Sequence, residues 1–396
     1  MDGAMLTPDE LPRIQAALGE MDLDGWLLFD FHGVNPVTVG MLQLQGMVTR
    51  RIFVYVPRRG MPTAITHAIE QGPWSRWPES WGRVVYSGWR ELEGALATLV
   101  RGHRIAMEYS PGDAVPYVDR VPAGVIEMVR QAGAVVVSSG ELVSRFFAVW
   151  DAANTAAHLR AAEAIRTIAH DAFAMVGERT KRGDALTEFD VQSWIAGRIS
   201  GAGMDYGHAA IVAIGPNAAN PHYGPAEGRS SAIRRGDVLL IDLWGREPGQ
   251  PFADQTWVGV LGTPDAKTTE VWEAVRDARD AAIAALRTRV AAGQAVRGAD
   301  IDDEARGVIE SRGYGKYFTH RTGHSIDPRE IHGSGPHIDN LETREERLLI
   351  PGVGFSIEPG IYIPNTLGIR SEVNGLMGDG EVLITPSEYQ RDLLII

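Results

Sequence analysis

There is no cysteine anywhere in the 396 residues. That excludes disulfides, thiolate zinc sites, iron–sulfur clusters and a cysteine nucleophile, and it fits a reducing compartment. Basic residues are in deficit, 38 Lys plus Arg against 51 Asp plus Glu, for a net charge of −13. Such a surface repels phosphate backbones and anionic lipid, which argues against a nucleic-acid partner and against a membrane-surface role. No run approaches the roughly 18 consecutive apolar residues of a membrane span. The opening MDGAMLTPDELPR lacks the basic start and apolar stretch of a signal peptide, so a soluble cytoplasmic protein is expected.

What is present reads as an ordinary globular chain long enough for two domains. Residues 25–31, 51–57, 104–109 and 134–138 are rich in β-formers, and the segment 91–101 between them has helical period. This alternation predicts an α/β layer. Trp74, Trp77 and Trp81 cluster beside Pro73 and Pro78; packing within a loop is the commoner meaning of such a cluster, a contact surface the rarer one. The pattern changes near 150–154. From Thr155 onward Leu159, Ala162, Ile165, Ala169, Ala172 and Val176 mark one face of a long helix, which places the boundary between domains 1–152 and 153–396. A second helix carries Val271, Val275, Ala278, Ala282 and Leu286 after the start signal Thr263-Pro264-Asp265, and a third covers about 302–311. Strands are expected at 238–243, 257–261, 354–358 and 369–376, giving an α+β second domain.

Five residues of that second domain stand in unusual places. Asp242 ends the apolar run Val238-Leu239-Leu240-Ile241, and Asp254 precedes another strand. His324 lies in Thr322-Gly323-His324-Ser325, Glu358 interrupts Phe355-Ser356-Ile357-Glu358-Pro359-Gly360, and Glu372 interrupts Arg370-Ser371-Glu372-Val373. Taken singly each has a bland reading, as a strand-end acid, a loop histidine or a turn cap. Together, four carboxylates inside apolar strands are costly to bury unless positive charge neutralises them. Arg370 alone cannot balance four. Four carboxylates with one imidazole form a hard, oxygen-rich ligand set that suits two divalent ions such as Mn²⁺, Co²⁺ or Zn²⁺. Two such ions share a bridging hydroxide and polarise a carbonyl, which is hydrolytic chemistry.

The ordered segments Asn217-Ala218-Ala219-Asn220-Pro221-His222-Tyr223, Ile241-Asp242-Leu243, Ala253-Asp254-Gln255-Thr256, His320-Arg321-Thr322-Gly323-His324, Ile357-Glu358-Pro359-Gly360 and Gly368-Ile369-Arg370-Ser371-Glu372 resemble those of the pita-bread metallopeptidases (peptidase family M24). That family includes methionine aminopeptidase, aminopeptidase P and prolidase. The resemblance implies a C-terminal pita-bread domain preceded by an α/β creatinase-type N-terminal domain. It implies that Asp242 binds one metal, that Asp254 and Glu372 bridge both, and that His324 and Glu358 hold the second. Glu358 is then also the general base, His222 and His332 contact the substrate and stabilise the tetrahedral intermediate, and Arg370 binds a substrate carboxylate. Arg370 has a second reading as an ion-pair partner of a ligand carboxylate.

Three departures from the family pattern are visible: an interval from Asp242 to Asp254 one residue longer than expected, with the unusual Trp244-Gly245-Arg246-Glu247-Pro248-Gly249; a similarly longer interval from His324 to His332, with Ser325-Ile326-Asp327-Pro328-Arg329 replacing a glycine-rich turn; and Trp257 where an arginine is common. None removes a ligand. The N-terminal domain disfavours methionine aminopeptidase, and the complete ligand set disfavours metal-free creatinase. The resemblance thus implies a Xaa-Pro dipeptidase, with aminopeptidase P, which takes longer peptides, as the alternative and a non-catalytic binding protein on the same scaffold as a reading of another class. It further implies a homodimer; the clustered Trp and Pro residues make the Trp74 to Trp81 loop a candidate to reach across to the partner subunit, beside its commoner reading as loop packing.

Overall fold

In the computed structural model, which describes residues 5–396, the chain forms two compact units, one ending at Phe147 and one running from Ala148 to Ile396. Among the described residues no helix is long and apolar enough to cross a membrane.

The first unit is built on a six-stranded sheet in the order Gly82–Tyr86, Thr63–His67, Ile52–Pro57, Gly25–Asp30, Arg104–Met107, Val135–Ser138. Gly25–Asp30 pairs antiparallel with Ile52–Pro57 and parallel with Arg104–Met107. Side chains alternate across a strand, so Trp26 and Leu28 enter one apolar core while Leu27 and Phe29 enter another. Coverage of both faces is why this strand reads as an unbroken apolar run. Gly82–Tyr86 carries no such signal, because it is an edge strand whose Arg83, Val84 and Val85 are exposed.

The tryptophan loop packs against its own unit. Trp74 and Trp81 are only 2% and 5% exposed in the core of their own unit. Trp77 meets both rings edge-on, at centroid distances of 5.3 and 4.8 Å, and its Nε1 donates to the Gly82 carbonyl at 3.1 Å. Trp74 and Trp81 are thus packed within their own unit, while Trp77 stays partly exposed.

The second unit holds two helix pairs, Ala152–Arg182 with Glu188–Gly201 and Ala266–Ala291 with Gly298–Ser311. Asp151 caps the first helix by accepting from the Asn154 N–H at 2.7 Å, and Gly183, at φ 82°, ends it. Asp265, part of the start signal, caps the third by accepting from the Thr268 N–H at 2.6 Å. One four-stranded sheet has the order Leu394–Ile395, Ala253–Val260, Val238–Gly245, Ile211–Ile214. A second has the order Ser325–Ile326, Gly354–Ile357, Val373–Met377, Val382–Thr385, and Gly360–Ile363 pairs with Leu367–Arg370 as a separate hairpin. Trp150 donates from Nε1 to the Ile326 carbonyl at 3.0 Å and from its N–H to the Gly352 carbonyl at 2.8 Å, so residues 148–152 pack with this unit.

Two strand readings change. The strand expected at 257–261 begins at Ala253, which carries Asp254 inside the sheet rather than before it. Residues 369–376, which read as one strand, divide into Leu367–Arg370 and Val373–Met377 in different sheets. Ser371 and Glu372 make the crossing, where the Glu372 N–H reaches the Thr256 carbonyl at 3.4 Å.

Candidate metal centre

Alternation along two paired strands begins the site. Leu239, Ile241 and Leu243 face the first helix pair, as do Ala253 and Trp257. Asp242 and Asp254 therefore share the opposite face, where Asp242 is directly across from Thr256 and Trp244 across from Asp254. The second sheet supplies the rest. The His324 N–H donates to Ser356 Oγ at 2.9 Å, and the Ser356 N–H returns a bond to the His324 carbonyl at 2.8 Å. Gly323 is required by close approach, since a Cβ there would stand 1.9 Å from the Ser356 carbonyl oxygen. Glu358 follows the same strand, its N–H bonded to the Thr322 carbonyl at 2.6 Å.

Donor atoms of Asp254, His324 and Glu372 all lie within 4.8 Å of one another. His324 Nε2 is 3.5 Å from Asp254 Oδ2 and 3.4 Å from Glu358 Oε1. Asp242 is turned toward Arg370, whose Nη2 donates to Asp242 Oδ2. The same guanidinium donates from Nε to Thr256 Oγ1 at 2.9 Å and from Nη1 to the Tyr362 hydroxyl at 3.1 Å. Thr256 passes the connection on, donating to Glu372 Oε2 at 2.8 Å, and Tyr362 OH lies 2.8 Å from His320 Nε2.

One oxygen of each of three buried acids, Asp242 Oδ1, Asp254 Oδ1 and Glu372 Oε1, has no hydrogen-bond partner among the described residues. Burial pushes the Asp242 carboxyl up to about 7, against the pull of Arg370. Burial and then the Glu358 charge push Asp254 well above the usual range; burial and then the Asp254 charge do the same to Glu372. Glu358 differs: burial raises it, but the His324 and Arg370 charges outweigh burial and hold it below the ordinary value. These acids cannot all be charged in one another's company without added positive charge. Hard, unpartnered oxygens converging beside one imidazole suit divalent cations, so the residues present fit the metals that the sequence implies.

The two outer histidines lie on the solvent side. The His332 ring meets the His324 ring at a centroid distance of 4.2 Å, and the charge of His324 followed by burial depresses it to about 3, with His222 near enough to add to the effect. His222 is exposed. Sequence reasoning did not single out Thr256, Tyr362 or Ser356. For Thr256 a signal existed: two positions after Asp254 in a strand is the same face. A cavity of about 250 Å³ lies elsewhere, in the first unit, lined by Asp30, His32, Thr38, Leu42 and Leu44 among others.

A buried, oxygen-rich cation site on a mixed α/β scaffold defines a metal-dependent protein, and comparison with known proteins gives the class. The chain belongs to metallopeptidase family M24, whose profile matches residues 157–379. Over 187 residues it is 36% identical to a Xaa-Pro dipeptidase of Lactobacillus helveticus, covering 47% of this chain and 46% of that protein. The chain thus spans about half the length of the curated relatives it matches. The dipeptidase PepE of Mycobacterium ulcerans superposes with a TM-score of 0.70 at 23% identity, over 97% of this chain and 96% of that one. A prolidase of Thermococcus sibiricus does so with a TM-score of 0.64 at 24% identity, over the whole of both chains. These likenesses establish the fold over the full length: the pita-bread architecture with an α/β domain before it.

Proposed function

We propose that this chain is a dinuclear Xaa-Pro dipeptidase. The observation that carries the reading is the cluster of Asp254, His324 and Glu372, whose donor atoms lie within 4.8 Å of one another, with one oxygen each of Asp254, Glu372 and Asp242 left without a hydrogen-bond partner among the described residues. In this reading Asp242 would hold one ion, His324 and Glu358 the other, and Asp254 and Glu372 would bridge them. Manganese is the first ion to test, with cobalt and zinc sharing its donor preference. When bound, the ions polarise the scissile carbonyl and make water nucleophilic at neutral pH.

The chain's own residues do the remaining work. In this reading Glu358, half-buried with Oε2 3.8 Å from Arg370 Nε, is the carboxylate that takes the proton of the attacking water. His222 and His332 donate N–H groups to the oxygen on which charge builds. Arg370 orients rather than binds: with Nε, Nη1 and Nη2 each engaged by protein, it holds Asp242 directly and Glu372 through Thr256. The scaffold is read as a homodimer, which sedimentation would test. Function is tested by offering a Xaa-Pro dipeptide and a Xaa-Pro-containing tripeptide, with Mn²⁺ and after chelation. Metal-dependent cleavage of the dipeptide alone is expected. Cleavage of the tripeptide with little of the dipeptide would replace this reading with an aminopeptidase.

A further inference from the structure

Glu188 is a fully buried acid outside the metal cluster, in the first turn of the Glu188–Gly201 helix. Among the described residues it has no cationic partner, and four different donors converge on it instead. Oε1 accepts from the Ile214 N–H at 2.9 Å and from Asn217 Nδ2 at 2.9 Å. Oε2 accepts from the Tyr223 hydroxyl at 2.6 Å, from the Ser231 N–H at 2.9 Å and from Asn217 Nδ2 at 3.1 Å. Asn217 Nδ2 also reaches Ser231 Oγ at 3.0 Å.

These donors are not scattered. Asn217 and Tyr223 are the two ends of one turn, and His222 sits in it one residue before Tyr223. The turn's interior is held by its own backbone: the Asn220 N–H bonds to the Asn217 carbonyl at 3.1 Å, the Tyr223 N–H bonds to the Asn220 carbonyl at 3.0 Å, and the His222 N–H bonds to Asn220 Oδ1 at 3.1 Å. The far side is closed by the Leu367–Arg370 strand, where a Cβ on Gly368 would stand 1.7 Å from the Ala218 carbonyl oxygen. That strand carries Arg370 and leads into Glu372. Burial, followed by the bond to Glu188, pushes the Tyr223 phenol up, so it remains a donor across the working pH range.

We propose that Glu188 is a positioning residue for catalysis: by bonding both ends of the 217–223 turn it fixes His222 at the distance from the metal ligands that the reacting substrate requires. The proposal rests on the reading of His222 as a substrate contact. It goes beyond that reading by assigning the function of a buried acid that touches neither metal nor substrate. The physical basis is that His222 is exposed and its side chain has no hydrogen bond of its own among the described residues, so its place is set by its backbone. A carboxylate is the one side chain that satisfies several converging N–H and O–H groups at once. An amide in its place turns an N–H₂ toward donors and releases part of the turn.

The test is a double-mutant cycle of Glu188→Gln with His222→Ala, read as kcat and KM on a Xaa-Pro dipeptide, with bound Mn²⁺ counted by mass spectrometry and melting temperature recorded. Glu188→Gln alone is expected to lower kcat about ten- to a hundredfold with KM within about threefold, the scale of a small displacement of a catalytic contact, while Mn²⁺ content stays at the wild-type value. In the His222→Ala background the same substitution is expected to cause no further loss. Multiplying losses, or wild-type kcat in Glu188→Gln, would overturn the proposal. If Glu188→Gln fails to fold, Tyr223→Phe removes a single hydroxyl from the carboxylate and is judged by the same non-additivity with His222→Ala. Wild-type turnover in His222→Ala would overturn the substrate role of His222 and this proposal with it, leaving metal-dependent dipeptide cleavage intact. A wild-type chain that cleaves no Xaa-Pro peptide would instead overturn the dipeptidase reading before either variant is compared.

Discussion

Glu108 lies fully buried in the first unit, its Oε1 accepting from Trp26 Nε1 at 2.7 Å and Ser139 Oγ at 3.1 Å, its Oε2 from Asn35 Nδ2 at 2.8 Å. Asp254 is also buried in the second unit, yet its Oδ1 has no donor among the described residues, and its Oδ2 stands 3.5 Å from His324 Nε2. Burial raises the pKa of both acids, so a raised pKa does not tell them apart. The donors do. A buried carboxylate whose two oxygens are satisfied by neutral groups ties a fold together, as Glu108 ties the Gly25–Asp30 strand, the start of the Pro36–Leu42 helix and Ser139. Buried carboxylates that crowd one another and still lack donors are set for a cation. Glu188 belongs with Glu108 by this criterion, although the turn that it holds belongs to the site.

The comparison is most severely tested at Asp254. Asp254→Asn is expected to cut metal-dependent dipeptide hydrolysis by about 10³-fold or more, since it removes several kcal/mol of charge stabilisation. Bound Mn²⁺, counted by mass spectrometry, falls with it. Stability is expected to move the other way after chelation: the variant melts above the chelated wild type, because one member of a repelling set is gone. If the chelated variant melted lower, Asp254 would be a structural acid like Glu108.

Glu108→Gln is the converse case. Facing N–H₂ toward Trp26, Asn35 or Ser139 leaves buried donors unpaired and is expected to lower the unfolding free energy by about 1–3 kcal/mol. Urea unfolding would measure that, with Mn²⁺ content and kcat unchanged. Loss of metal from this variant would erase the distinction between the two acids.

A smaller effect comes from His158, buried between the Phe252 carbonyl at 2.8 Å and Thr385 Oγ1 at 2.9 Å. Burial lowers its pKa from 6.5 to about 4, so the folded chain keeps the ring neutral where the unfolded chain protonates it. The stability contributed by the neutral ring is complete above pH 6.5 and is lost as the pH falls from 6.5 toward about 4. Over the first pH unit below 6.5 the loss is roughly 1 kcal/mol. Melting curves of the wild type and His158→Gln through that window would show it: the wild type should decline more steeply, and parallel curves would remove His158 from the account.

Much of the fold was legible because its signals are local. Asp265 announced its helix, the apolar stripe from Ala162 to Val176 announced the longest one although Leu159, read with it, is exposed, and Val238 to Leu243 read as a strand and is one. The edge strand Gly82–Tyr86 was not legible, since exposed Val84 and Val85 give no alternation. The break at Ser371 and Glu372 was hidden for a different reason: residues on either side favour strands equally, and only their separate sheet partners divide them. In the site, the types and order of Asp242, Asp254, His324, Glu358 and Glu372 were visible, and so was Arg370 as a possible partner of a ligand acid. Thr256, Tyr362 and Glu188 were not, because a threonine, a tyrosine and a helix-start glutamate are commonplace until something converges on them.

The sequence by itself determined the chemistry on offer: no thiol, an acidic chain, and a hard-oxygen donor set with one imidazole. Only the tertiary structure decided which oxygens lack donors, which acid Arg370 takes, and that one carboxylate holds both ends of the His222 turn. Thr256 and Glu372 are 116 positions apart, Asp242 and Arg370 128. Periodicity reports a residue's face over a few positions, whereas burial and hydrogen-bond satisfaction are properties of whatever the rest of the chain brings to that face.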